Sequence, residues 1–217
     1  MFFKKKSILN KIFQKVFVIT SYATQDRLER LVPYLEKLHI EYELIISPKK
    51  KYLSGLETYT EGEQSLVSGY ESVFLYAKTK NIKTFCVLED DIVFVEDYEL
   101  KIKKLFRSLP KDWNIINLGY TSHNTFSTSN PIVEKINSGT TVFTTHFTAY
   151  NNLDNKILEI IDTCNNTIDL FYLWFVYKNF NSYVAKEKIA FQSSFRQNGN
   201  KNTKEENKYI LYYSELR

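Results

Sequence analysis

Short apolar runs alternate with amphipathic segments of helical period along nearly the whole chain, and this alternation restricts the fold more than any other feature. Residues 15–20, Lys-Val-Phe-Val-Ile-Thr, are β-branched and aromatic and run into a polar turn over 21–25, as a buried strand does. Leu28, Leu31, Val32, Leu35 and Leu38 then recur at helical spacing with charged residues outside them, and Pro33 predicts a kink or a late start. The same reading predicts strands over 42–46, 83–95, 114–118 and 140–150, with a last strand pair over 182–191. It predicts helices over 63–78, 98–109 (stopped by Pro110), 153–164 and 169–180. Residues 47–62 and 120–139 are polar and read as loops, the second long enough to be functional. Strand and helix in alternation predict one three-layer α/β domain over 16–195, with a polar tail over 196–217.

Charge excludes one class of partner. The net charge is +4, but Lys4, Lys5, Lys6, Lys11 and Lys15 stand in residues 1–15 with no acid among them. Of the 29 Lys and Arg, 24 therefore remain to face 25 acidic residues. The body of the protein is near neutral and offers no broad field for phosphate backbones, which argues against nucleic-acid binding. Residues 1–15 interleave bases with Phe2, Phe3, Ile8, Ile12 and Phe13. As an amphipathic helix they would rest on anionic lipid; the alternatives are a solvated extension and a helix packed on the domain. The segment lacks the apolar run and small-residue cleavage site of a secretory signal, and nowhere do about 18 apolar residues follow one another. Cys86 and Cys164 have no metal-ligand spacing and read as core thiols of a reducing compartment, so a cytoplasmic protein, peripheral to a membrane at most, is expected.

The sharpest chemical signal is Glu89-Asp90-Asp91, three acids inside the apolar run Val87, Leu88, Ile92 and Val93. Burying uncompensated carboxylates costs several kcal/mol each, so a cation is expected beside them. Alternation along a strand puts Glu89 and Asp91 on one face and Asp90 on the other; if the strand ends here, all three converge at its C-terminal edge, where open α/β sheets bind ligands. Hard oxygen donors suit Mg²⁺ or Mn²⁺. The alternative is a strand that ends at an exposed acidic turn.

Taken in order, these residues resemble glycosyltransferase family 25, the group of bacterial lipooligosaccharide and collagen galactosyltransferases. The resemblance runs through the strand 16–20 with Asp26-Arg27, Gly62-Glu63, Ser68, Leu88-Glu89-Asp90-Asp91, Leu109-Pro110 with Trp113, Leu118-Gly119, Thr145-His146 with Ala149-Tyr150, Ile168-Asp169 and Gln192. The chain departs from the family where Gly69 replaces a His and where Phe147-Thr148 separates His146 from Ala149. What the resemblance implies is a Rossmann-like, GT-A-type domain that uses Mn²⁺ or Mg²⁺. Such an enzyme moves a hexose, galactose or glucose, from a UDP-hexose to a glycan, glycolipid or protein hydroxyl with inversion.

On that reading Asp91, helped by Glu89, holds the metal that bridges the donor's phosphates. Asp90 holds the ribose or base, and Thr20, Ser21, Arg27 and Ser68 line the nucleotide pocket. Arg27 is otherwise a surface base, and His146 is a metal or phosphate contact or else a hydrogen-bonded core residue. Asp169 is the candidate base toward the acceptor hydroxyl or, alternatively, the N-cap of the helix it opens, with Thr167 as rival cap. Aromatic residues 171–175 would dry the site and stack on sugar. A non-catalytic sugar- or nucleotide-binding protein on the same fold and a metal-dependent nucleotidyltransferase are the competing classes; a phosphate-cradling Gly-rich loop is absent from the sequence.

Overall fold

The computed structural model describes residues 6–21, 24–47, 61–120, 122–124, 130–137, 141–143, 145–164 and 166–193. A nine-stranded mixed sheet forms its middle layer. In chain order the elements are α1 (Ile8–Ile12), β1 (Lys15–Ser21), α2 (Gln25–Lys37), β2 (Glu43–Ser47), α3 (Glu61–Thr79), β3 (Thr84–Glu89), β4 (Ile92–Phe94), α4 (Tyr98–Ser108) and β5 (Ile115–Gly119). They continue with β6 (Ser122–Asn124), β7 (Val133–Lys135), β8 (Thr141–Phe143), β9 (Phe147–Asn151), α5 (Lys156–Asp162) and α6 (Ile168–Phe171). A π-helical turn (Tyr172–Val176) leads into α7 (Tyr177–Asn179), and β10 (Ser182–Ala185) and β11 (Ala190–Gln192) close the series. The main path of the sheet runs β2-β1-β3-β9-β5-β10-β7; β1 is parallel to β2 and β3, β10 is parallel to β5, and β9 is antiparallel to both its neighbours.

Period-two alternation divides the core into two clusters, one on each face of the sheet. Val16, Val18, Cys86, Leu88, Ile116 and Leu118 pack with α1, α2 and α4. Phe17, Ile19, Phe85, Val87 and Ile115 pack with α3, α5, α6 and the π-turn. The chain is therefore a single α/β domain with a mixed, mostly parallel open sheet flanked by helices, as the alternation predicts. The Phe and Tyr surplus goes largely into these clusters, and buried tyrosines find partners for their hydroxyls: Tyr34 Oη accepts from Phe94 N (2.9 Å) and Tyr177 Oη accepts from Asn117 Nδ2 (3.1 Å).

Several expected elements are redrawn. The strand expected over 83–95 is two, because the chain turns at Asp90-Asp91; β3 ends there, and β4 leaves to pair antiparallel with β11. The strand over 140–150 also divides: β8 pairs with β6 in a separate ribbon, and only β9 joins the main sheet. The last strand pair is not a hairpin, since β10 pairs with β5 and β7 while β11 pairs with β4 and β5. The expected loop 120–139 contains β6 and β7, α2 runs through Pro33, and most of 47–62 and the tail 196–217 lie outside the described residues.

Over the part described, the basic head is a helix packed on the domain, one of the alternatives the sequence left open. Ile8, Leu9 and Phe13 are buried, Ile12 packs against them, and Phe13 meets Phe106 edge-on with centroids 5.4 Å apart. Asn10 fastens the helix to the domain, donating to Glu41 O (2.7 Å) and accepting from Glu41 N (2.9 Å). The apolar residues of the described part are packed into the core; Phe2 and Phe3 lie outside the described residues.

Gly69 has a packing reason. A Cβ there would lie 2.3 Å from Ser47 Oγ and 2.7 Å from Ile19 Cγ2, so α3 approaches β1 and β2 only because this residue has no side chain. Gly69→Ala gains about 1 kcal/mol of helix propensity but overpacks a buried contact, and a net loss of about 1–3 kcal/mol is expected in denaturant unfolding. An unchanged or raised midpoint would contradict this packing account.

Candidate active site

The turn Asp90-Asp91 at the C-terminal end of β3 distributes three carboxylates between the two faces of the sheet. Glu89 continues the parity of Phe85 and Val87 and so faces α3, whereas Asp90 and Asp91 face the start of α2. The expected pairing of Glu89 with Asp91 on one strand face does not hold, because the strand has ended at Glu89. Glu89, Asp90 and Asp91 are 8%, 8% and 5% exposed, which removes the exposed acidic turn from consideration.

On the α2 side, Asp90 Oδ2 accepts from Thr20 Oγ1 (2.8 Å) and Thr24 Oγ1 (2.5 Å), while Asp90 Oδ1 accepts from Arg27 Nη1 (3.1 Å). The same Nη1 donates to Asp91 Oδ2 (3.2 Å), which also accepts from Gln192 Nε2 (3.0 Å). Ser21, half-buried at the end of β1, shares a hydrogen bond with Thr24 (3.1 Å between hydroxyls). Arg27 is therefore a site residue and not an unattached surface base. Burial opposes its charge, but Asp91 and Asp90 together hold its pKa above the ordinary arginine value.

On the α3 side, Glu89 Oε1 accepts from Thr145 Oγ1 (2.7 Å) and Tyr70 Oη (3.3 Å), and Tyr70 also donates to Thr145 O (2.8 Å). Burial, then the charge of Asp91, with smaller contributions from Asp169 and Asp90, push the Glu89 carboxyl up to about 8. Asp169 is half-buried in the first turn of α6 and close enough to raise both Glu89 and Tyr177. Thr167, not Asp169, takes the N-cap position. Ser68 is buried on α3, and the residue of that helix that reaches the carboxylates is Tyr70.

His146 belongs to the core. It is 1% exposed; its Nε2 lies 3.4 Å from Ala190 O, and its ring fills the space where a Cβ on Gly119 would stand 2.6 Å away. Burial lowers its pKa to about 4, which favours the neutral imidazole. Thr24, Tyr70, Thr145 and Gln192 were not singled out as site residues. Thr145 and Gln192 had a signal in the family-like pattern, whereas Tyr70 and Thr24 are visible only once α3 and α2 are placed.

Asp90 and Asp91 pair with the guanidinium of Arg27, and the charges of Asp91, Asp169 and Asp90 all act on Glu89. Among the described residues no three acidic, His or Cys side chains form a closed metal cage. The donor set instead fits an ion such as Mn²⁺ or Mg²⁺, which is commonly held by one or two carboxylates together with water and substrate phosphates. What marks this fit is the burial of Glu89 and Asp91 side by side at the end of the strand, where burial first and the charge of Asp91 second raise the Glu89 carboxyl.

That shift has a measurable consequence in the metal-free protein. Glu89 binds a proton in the folded state up to about pH 8 but releases it near pH 4.5 when unfolded, so folding stability falls as pH rises between those values. His146 acts oppositely, but only between about pH 4 and 6.5. The unfolding free energy in EDTA is therefore expected to fall from pH 6.5 to 8.5 by on the order of 1.4 kcal/mol per pH unit traversed below the folded pKa, and Glu89→Gln is expected to flatten this slope. A slope unchanged in Glu89→Gln would contradict the assignment.

No family model matches the sequence, and no curated protein matches it either. Two solved structures share its fold over nearly their whole length. One is a glycosyltransferase involved in the glycosylation of the major capsid of PBCV-1, with TM-score 0.50, 8% identity, and 93% of this chain and 99% of that one covered. The other is the inositol-1-phosphate CTP transferase from T. maritima, with TM-score 0.52, 11% identity, and 94% and 96% covered. The chain therefore has the single-domain, Rossmann-like α/β fold that a glycosyltransferase and a nucleotidyltransferase also have, with its acidic turn at the C-terminal edge of that sheet.

Proposed function

We propose that this chain is a glycosyltransferase of the family 25 type, moving galactose or glucose from a UDP-linked donor to a hydroxyl of a glycan, glycolipid or protein. The observation that carries the proposal is the acidic turn: it meets the hydroxyls and guanidinium of the first strand-to-helix turn on one side and a second carboxylate, Asp169, on the other. The similarity in fold to a capsid-modifying glycosyltransferase supports it. On this reading Asp90, fixed by Thr20 and Thr24, accepts from the ribose or base, and Asp91, with Glu89 behind it, would hold a divalent ion. Such an ion would supply positive charge to stabilise the departing nucleoside diphosphate. Asp169 takes the proton of the acceptor hydroxyl as its oxygen bonds to the anomeric carbon from the face opposite the leaving group. The carbon–phosphate-oxygen bond breaks with its electron pair going to UDP, and the sugar is inverted.

The outer face of the helical segment begun by Asp169 exposes Trp174 and Phe175, 44% and 39% accessible, which gives an acceptor sugar aromatic faces to stack on. Transfer of a nucleotidyl group is favoured less, because the turn from β1 into α2, Ser-Tyr-Ala-Thr, has no glycine to bring backbone N–H groups onto a triphosphate.

The direct test incubates the protein with UDP-galactose and UDP-glucose in Mn²⁺ and measures UDP release against an EDTA control. Metal-dependent release is expected. Absence of release from both donors, with the protein folded, would reject the donor class.

A further inference from the structure

Among the described residues, Arg27 is the cation that touches two carboxylates of the site at once, through one nitrogen 3.1 Å from Asp90 and 3.2 Å from Asp91. Its two anchors differ. Asp90 is held by Thr20 and Thr24 on its other oxygen, so it stays in place whatever happens at Asp91. Asp91 is oriented by the neutral amide of Gln192, and its backbone carbonyl accepts from Ser193 N (2.6 Å), so it does not need Arg27 to hold its direction. A divalent ion on Asp91 and a guanidinium on the same oxygen would repel each other across a water-poor space. The Arg27 side chain is 25% exposed, which leaves its tip a way to leave Asp91 while keeping Asp90.

We propose that Arg27 is the resident counter-ion of the acidic turn, displaced from Asp91 when a divalent ion binds and thereby released to pair with the phosphates of the donor. This rests on the transferase reading above and adds an order to it: the ion first, then the nucleotide. The exchange suits the chemistry of the groups. A guanidinium is fixed in charge and donates to carboxylate and phosphate alike, and so moves between the two without any proton transfer. In metal-free protein the guanidinium pairs with Asp90 and Asp91; with ion and donor both present, it faces the added phosphate charge instead.

The exchange makes two effects of opposite sign in one variant, which a merely structural role would not. Full-length wild type, Arg27→Met and Arg27→Lys are titrated calorimetrically with Mn²⁺ alone and then with UDP in saturating Mn²⁺. Arg27→Met, which keeps the length of the stem without its charge, is expected to bind Mn²⁺ about 10-fold tighter and UDP about 10-fold weaker than wild type. Arg27→Lys, a point charge that cannot fork, is expected to shift both in the same directions by less, and it carries the test if the Met variant fails to fold. Mn²⁺ binding no tighter than wild type, or UDP binding undiminished, in a folded variant overturns the exchange while leaving the transferase reading intact. Wild type that binds UDP but no Mn²⁺ overturns the metal assignment, and the exchange with it.

Discussion

Asp91→Asn is expected to lower Mn²⁺-dependent UDP release by about 10²-fold or more, since a divalent ion supplies several kcal/mol of charge stabilisation to the departing diphosphate. The protein is expected to stay folded. The turn is held by the backbone bond from Ser193 N to Asp91 O, and an asparagine oxygen still accepts from Gln192. The substitution also removes the charge that, after burial, contributes most to raising Glu89, so the pH-dependent instability of the metal-free protein should shrink in the same variant. Activity equal to wild type in a folded Asp91→Asn protein would reject the metal assignment. Loss of both activity and fold would instead make the turn a structural ion-pair cluster.

Asp169→Asn is expected to lower turnover by about 10²–10⁴-fold, the range of a single positioned general base, with UDP affinity in Mn²⁺ little changed. Three observations place the residue. It lies in the first turn of α6 without serving as its cap, it is near enough to Glu89 and Tyr177 to raise both, and it is half-buried where Glu89, Asp90 and Asp91 are nearly enclosed. Removing the charge leaves the acceptor hydroxyl with nothing to take its proton but leaves the donor side, Asp90 with Thr20, Thr24 and Arg27, untouched. The check is a split between kcat and the UDP dissociation constant measured separately. Unchanged kcat would remove Asp169 from catalysis, and a parallel loss of UDP affinity would make it a donor-site residue.

The architecture was legible because burial on both faces forces near-continuous apolar strands, and these stand out between amphipathic helices in residues such as Val16, Phe17, Val18 and Ile19. Where strands break was not legible. Ile92, Val93 and Phe94 resume the apolar run after the acids, and nothing in their composition says that they leave β3 to pair with β11. The acidic turn and Arg27 were readable from sequence as uncompensated charge, since a buried carboxylate needs a partner whatever the fold. Tyr70 was not, because its hydroxyl reaches Glu89 only after α3 is laid against the sheet, and one tyrosine among 16 carries no mark of its own. For His146 the sequence left two readings, a metal or phosphate contact and a hydrogen-bonded core residue; its ring fills the gap over Gly119 and is buried, which fits the second. Gly69 was visible as a departure from the family pattern, and its cause, the contact of α3 with Ser47 and Ile19, is a property of packing alone.

Calorimetric titration of the full chain with UDP, CDP, GDP and ADP, each with and without Mn²⁺, tests most directly whether the acidic turn binds a nucleoside diphosphate through a divalent ion. Binding of one of them, UDP foremost, that appears in Mn²⁺ and is lost in EDTA is the expected result. No binding of any of the four in either condition, by folded protein, would contradict it.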